Sequence, residues 1–261
     1  MKNNKKIALI TGAAGLLGRV FVSALLENDF IVLAIDIKKK TIHHFDETIR
    51  NNKNFNFFTC DVINEKKINK LYLYIKNNFK KIDILINSAA IDAKVTPSTN
   101  GNKFENLSVK EWDRLMSINL KSLFLMCKKF GPFMKRNGGG KIINIGSDLS
   151  VIAPSQYIYK NKKNIYFKPI TYSVSKHAII GLTKYLAEYW AKNNITVNCL
   201  SPGSVNHNQP PLLKKRIISL TPAGRLLDKN ELKNVIKFLC SSKSNYITGQ
   251  NILIDGGRTI I

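Results

Sequence analysis

Short apolar runs alternating with helical patterns along the whole chain predict an α/β protein, a doubly wound parallel sheet of about seven strands in a single domain. Three observations carry this. Runs at residues 7–10, 30–35, 55–60, 82–86, 141–145, 195–200 and 252–254 are short, bounded and apolar, as strands buried on both faces are. Between them, residues 65–79, 109–133, 171–192 and 230–239 carry helical patterns. No repeat, low-complexity linker or composition break divides the 261 residues, a length that suits one large domain.

The first strand runs straight into a glycine turn, Lys6-Ile-Ala-Leu-Ile-Thr-Gly-Ala-Ala-Gly-Leu-Leu-Gly18. Gly12, Gly15 and Gly18 are followed by an apolar helix pattern through Val20, Phe21, Ala24 and Leu25. Strand, glycine turn and helix form the context in which such a motif binds a dinucleotide. Glycines let the backbone approach the pyrophosphate, whose charge sits against the positive end of the helix dipole. The second strand ends in Asp36, about 20 residues on, where a carboxylate accepts hydrogen bonds from the adenosine ribose hydroxyls and repels a 2′-phosphate. A secretory leader is the competing reading of this basic, apolar start, but Arg19 interrupts the run and the glycines spoil a helix.

Charge and cysteines bound the partners. The formal net charge is +24, from 41 basic and 17 acidic residues, which read naively suggests nucleic acid or an anionic membrane. The cations are nearly all lysines scattered in pairs such as Lys66-Lys67 and Lys80-Lys81, among runs of Asn and Ile that share A/T-rich codons. Scarce arginine argues against phosphate forks, so no nucleic-acid partner is expected. No apolar stretch approaches the roughly 20 residues that span a bilayer, so no membrane partner is expected either. Cys60, Cys127, Cys199 and Cys240 form no Cys-x-x-Cys pair, which speaks against zinc and disulfides and for reduced thiols in the cytoplasm.

The chemistry is expected at Tyr172 and Lys176, one helical turn apart in Tyr-Ser-Val-Ser-Lys. A free phenol ionises near pH ~10, and a fixed cation nearby is expected to draw it toward neutral pH. Two polar stretches stand out from the compact pattern, residues 92–107 and 148–170, both beginning where strands end and ligands bind in open α/β sheets.

These residues together resemble the short-chain dehydrogenase/reductase family over essentially the whole chain. Thr11-Gly12 with Gly15 and Gly18 resembles its cofactor loop, Asp61-Val62 its adenine-contacting pair, and Asn87-Ser88-Ala89-Ala90 its Asn-Asn-Ala-Gly motif. Asn119, Ser147, Tyr172 and Lys176 match its catalytic tetrad one by one, and Pro202-Gly203, Thr248-Gly249-Gln250 and Asp255-Gly256-Gly257 its carboxy-terminal half. The resemblance implies a Rossmann-like fold and no metal. It implies cofactor contacts at Gly12, Ala14, Gly15, Leu17, Gly18, Asp36, Asp61, Val62, Asn87, Ala89, Tyr172, Lys176, Pro202, Gly203 and Val205. Tyr172 would be the proton donor and acceptor, Lys176 would lower its pKa and hold the nicotinamide ribose, and Ser147 would steady the reacting oxygen. Asn119 would shape a water relay behind the lysine. With Asp36, and with Ala13 and Ala14 where a cation would greet a 2′-phosphate, NAD is expected over NADP.

Departures narrow the resemblance. Leu16 stands where the single-domain branch usually carries its middle glycine, and Asn206-His207-Asn208 where a Thr often follows Pro-Gly. The interval from Ser147 to Tyr172 is about twice the family's usual one. That insertion resembles a subgroup of flagellin-modification and surface-glycan oxidoreductases. Its Tyr157, Tyr159, Tyr166, Lys160, Lys162, Lys163 and Lys168 suggest an anionic substrate, a sugar phosphate or nucleotide sugar. The alternatives are a keto-acyl or general secondary-alcohol dehydrogenase and a catalytically silent dinucleotide sensor. A homodimer or homotetramer is expected from the apolar residues around the Tyr172 helix.

Overall fold

The computed structural model describes residues 5–92, 103–160 and 166–261. Its centre is a seven-stranded sheet in the order β3-β2-β1-β4-β5-β6-β7, with every neighbouring pair parallel. In chain order the strands are β1 (Ile7–Thr11), β2 (Ile31–Asp36), β3 (Phe55–Thr59), β4 (Ile84–Asn87), β5 (Gly140–Ile145), β6 (Ile195–Pro202) and β7 (Asn251–Ile254). The helices are α1 (Leu16–Leu26), α2 (Glu47–Arg50), α3 (Glu65–Asn78), α4 (Val109–Met116), α5 (Ser122–Arg136), α6 (Ile170–Trp190), α7 (Pro211–Ser219) and α8 (Lys229–Cys240).

Strand alternation divides the core between two layers. Leu9, Leu33, Leu85, Ile142 and Val197 face α3, α5 and α6. Ile10, Val32, Ile86, Ile143 and Leu200 face α1 and α8. Among the described residues no helix is long and apolar enough to cross a membrane, all four cysteines are free and buried, and no His/Cys/Asp/Glu cluster could hold a metal ion.

Two departures from the expected elements matter for the site. The helix expected over 109–133 is two helices joined by a π-helical turn, Ser117–Lys121, with Asn119 buried inside it. Such turns add a residue to the helix and re-aim its side chains. The 148–170 insertion is not a plain loop: it forms 3-10 turns at Asp148–Ser150 and Gln156–Tyr159, and its last residue opens α6. Helices α2 and α7 were not anticipated, being short and weakly periodic.

Candidate active site

Parallel strands put all their carboxyl ends on one edge, and every expected site residue lies along it or on a helix entering it. Gly12 closes β1 with φ +60°, and a Cβ there would meet Cα of Ala89 at 2.7 Å. Thr11 Oγ1 accepts from the N–H groups of Ser88 and Ala89 at 3.1 and 3.2 Å, tying the β1 and β4 exits together. Gly18 packs α1 onto the turn: its Cβ would lie 2.2 Å from the Gly12 carbonyl oxygen. Gly15 caps α1 with no side chain over the first turn, so the helix end, with Leu17 in it, presents backbone N–H groups to an anion. Asp36 Oδ2 accepts from Ala14 N–H at 3.0 Å beside this cradle.

Further along the edge, Asp61 follows β3 and accepts from Ile63 N–H at 3.2 Å, while Val62 packs against the core. Asn87 Nδ2 donates to Asn144 Oδ1 at 2.9 Å, and Asn144 Nδ2 to Thr183 Oγ1 at 2.9 Å. That amide chain ties β4, β5 and α6 into one rigid block. Pro202 ends β6, Gly203 packs against Asp255, and Val205 bridges to Leu227. The crowded, side-chain-free turn beside an acidic residue fits the pyrophosphate and ribose of a nicotinamide dinucleotide.

The four residues matched to the tetrad converge where β5 meets α6. Lys176 is buried, donates to the Ile145 carbonyl at 2.8 Å, and lies 5.7 Å from the Tyr172 ring centre. The Ser147 hydroxyl sits beside the Tyr172 phenol and favours its ionised form. Asn119 accepts from Ile91 N–H at 2.8 Å and donates to Ile91 O at 3.0 Å and Ser175 Oγ at 3.4 Å. Its amide clamps the β4 exit against α6, and no hydrogen bond joins it to Lys176.

The electrostatics correct one expectation. Burial of the Tyr172 hydroxyl pushes the phenol well above its usual value, with Asp92, Asp148 and Tyr159 adding to the rise. Burial lowers the neighbouring Lys176 ammonium as well, to about 8. Desolvation outweighs the one-turn pairing when both groups sit in the protein interior.

Lys168 and Tyr159 of the insertion, expected at the substrate, do lie beside the phenol, while Asp92, Asp148 and Arg258 carried no signal of their own in the linear sequence. Lys168 lies 4.2 Å over the Tyr172 ring and is ion-paired with Asp92. Tyr159 is close enough to add to the rise of the Tyr172 phenol, and both phenols are raised by burial and by Asp92 and Asp148. Buried Asp148 pairs with buried Arg258 across the chain. Of the remaining insertion residues, Tyr157 and Lys160 are exposed and Tyr166 is half-buried, while Lys162 and Lys163 lie outside the described residues. A cavity of about 990 Å³ opens along the start of α6, lined by Phe104, Leu107, Pro154, Phe167, Ile170 and Val174, and shares Lys168 with the surroundings of the Tyr172 ring.

The chain is similar in sequence and fold to known proteins. A family model described as enoyl-(acyl carrier protein) reductase matches residues 12–259. An NAD-dependent glycerol dehydrogenase of Listeria innocua is 33% identical over 98% of this chain and 94% of its own. A 2-dehydro-3-deoxy-D-gluconate 5-dehydrogenase of Dickeya dadantii is 33% identical over 97% and 94%. The crystal structure of a short-chain dehydrogenase from Leptospira borgpetersenii with bound NAD+ superposes with a TM-score of 0.87 at 34% identity, covering 98% of this chain and 93% of that one. With its parallel sheet, glycine turn and converging Ser, Tyr and Lys, the chain belongs to the short-chain dehydrogenase/reductase family, oxidoreductases that act on CH–OH groups with a nicotinamide cofactor.

Proposed function

We propose that the protein is an NAD-preferring dehydrogenase that interconverts a secondary alcohol and its ketone on a polyol or sugar. The observation that carries this reading is the polar wall around the Tyr172 phenol. Asp92, Lys168, Tyr159 and Ser147 all face it, and hydroxyl-rich substrates need such donors and acceptors. The glycerol and gluconate-type dehydrogenases named above are consistent with that chemistry.

When bound, NAD supplies the hydride acceptor and a positive nicotinamide ring. Tyr172 takes the hydroxyl proton of the alcohol, and gives it back to the carbonyl oxygen in the reverse direction. Ser147 steadies that oxygen as charge develops on it. Lys176 holds the ribose from its seat on the Ile145 carbonyl, and Asn119 keeps the β4 exit in place beneath it. The remaining cofactor contacts are assigned to Gly12, Ala14, Gly15, Leu17, Gly18, Asp36, Asp61, Val62, Asn87, Ala89, Pro202, Gly203 and Val205 along the strand-end edge.

A narrower version, a phosphorylated or nucleotide-linked sugar of surface-glycan synthesis, rests on the lysines of the insertion. Lys168, the one beside the phenol, already carries Asp92, which favours a neutral polyol over a phosphate. We also propose self-association through the outer face of α6. Exposed Tyr185 and Tyr189 stack there at 6.0 Å, and a second groove runs past Leu120, Phe124, Leu182 and Tyr185.

The test is NAD reduction with glycerol, D-threitol, D-gluconate, glycerol phosphate and acetoacetyl-thioester reduction alongside. Turnover on the polyols or the sugar acid is expected, and Tyr172→Phe should lower it by about 10²–10⁴-fold with NAD affinity kept. Turnover on the thioester alone, or a Tyr172→Phe enzyme near full activity, would defeat the proposal.

A further inference from the structure

The C-terminal turn ends under the active site. Asp255 accepts from Gly257 N–H at 3.1 Å and Thr259 N–H at 2.9 Å, which holds the 3-10 turn Arg258–Ile260 in one conformation. Gly257 at φ +85° supplies the bend that no side-chain-bearing residue adopts cheaply. The turn delivers Arg258 into the interior, where it is 8% exposed. Its Nη1 donates to the Leu220 carbonyl at 3.2 Å, and its Nε faces Asp148 Oδ2 at 3.4 Å.

Asp148 is 6% exposed and directly follows Ser147. Its other oxygen, Oδ1, accepts from the Ser147 hydroxyl at 2.8 Å and from Leu149 N–H at 2.8 Å. Ser147 has a single proton, so a carboxylate that holds it competes with the substrate oxygen for the same hydrogen bond. A guanidinium on the far oxygen weakens that grip and cancels the charge that Asp148 would otherwise place beside the phenol.

We propose that Arg258 is a positioning residue of the reaction, acting through Asp148 to keep the Ser147 hydroxyl available and the Tyr172 phenol able to ionise. The proposal rests on the reading of Ser147 and Tyr172 as the reacting pair. It adds a salt bridge that spans most of the carboxy-terminal half of the chain. The charged and titratable groups facing Tyr172 are Lys176 on its own helix, Lys168 and Tyr159 from the insertion, Asp92 after β4 and Asp148 after β5. Arg258 balances the last of these, as Lys168 balances Asp92.

Removing one partner leaves the other buried and uncompensated, and the two removals have opposite signs at the phenol. Arg258→Gln leaves a bare carboxylate, which disfavours the phenolate. Asp148→Asn leaves a bare guanidinium, which favours it. The experiment is an alkaline titration of tyrosinate absorbance on the NAD-saturated protein, with Tyr172→Phe as the blank that isolates the Tyr172 step. Relative to wild type, Arg258→Gln should raise the midpoint by about one pH unit and Asp148→Asn should lower it, with Arg258→Lys close to wild type. The double variant should return most of the way, whatever either single change does to the melting temperature. A midpoint unmoved in the singles, shifts of the same sign, or no Tyr172 step in any of the proteins overturns the proposal. The titration needs no substrate, so failure to find a turned-over alcohol would count against the proposed function and not against this device.

Discussion

Replacing Gly18 with alanine should damage cofactor binding beyond its damage to the fold. A Cβ at this position would lie 2.2 Å from the Gly12 carbonyl oxygen and 2.7 Å from Cα of Ala13. Favourable heavy-atom contacts begin near ~3.5 Å, so α1 and the turn must separate by about 1 Å. Both obstacles are backbone atoms, and no rotamer change relieves them. The turn is also held by Gly15 N–H on the Gly12 oxygen at 3.1 Å and by Ala14 N–H on Asp36 at 3.0 Å. Overpacking of this kind costs roughly 1–3 kcal/mol of stability. The same displacement misaims the first-turn N–H groups. Losing one or two charge-assisted hydrogen bonds of about 1.5 kcal/mol each weakens NAD binding roughly tenfold to a hundredfold. Gly131→Ala is the control, since its Cβ would strike the Trp190 ring at 2.1 Å, far from the cofactor edge. Calorimetric titration with NAD and denaturant unfolding of both variants make the comparison. Wild-type NAD affinity in Gly18→Ala, or an equal affinity loss in Gly131→Ala, would refute the reasoning.

Burial lowers the Lys176 ammonium from the ordinary 10.5 to about 8, so between those values the unfolded chain binds a proton that the folded chain does not. Stability from this group therefore rises with pH across that window. In cofactor-free protein, Lys176→Met should gain most over wild type at neutral pH and lose that gain in alkali; equal urea midpoint differences at both would contradict it. Asp36→Ser should shift the NADP-to-NAD affinity ratio toward NADP by roughly tenfold, as removal of a like charge worth on the order of 1–2 kcal/mol requires. An unchanged ratio would move cofactor choice elsewhere, to Lys38–Lys40 among others. Light scattering should find a dimer or larger assembly at micromolar concentration, and Tyr185→Glu on the exposed face of α6 should dissociate it; a wild-type monomer would end that proposal.

Local chemistry was legible in the sequence wherever one element carries the whole device. The β1 run, the glycines at 12, 15 and 18 and Asp36 occupy a single strand-turn-helix-strand unit, so their spacing alone states what they hold. Tyr172 and Lys176 share a face because helical periodicity puts them there. The parallel, doubly wound sheet was legible too, because strands and helices alternate along the chain. The pairings that tune the site were not legible. Asp148 meets Arg258, and Asp92 meets Lys168, only because packing brings distant segments together, and each looks like an ordinary surface charge when read in line. The π-helical turn around Asn119 is another such case, since the helical pattern over 109–133 runs through it without a break. The phenol makes the division plainest. Its identity and its lysine were written in five consecutive residues, but whether it ionises depends on how much water the surrounding fold removes. Desolvation belongs to the packed interior as a whole, so only the tertiary structure could decide it.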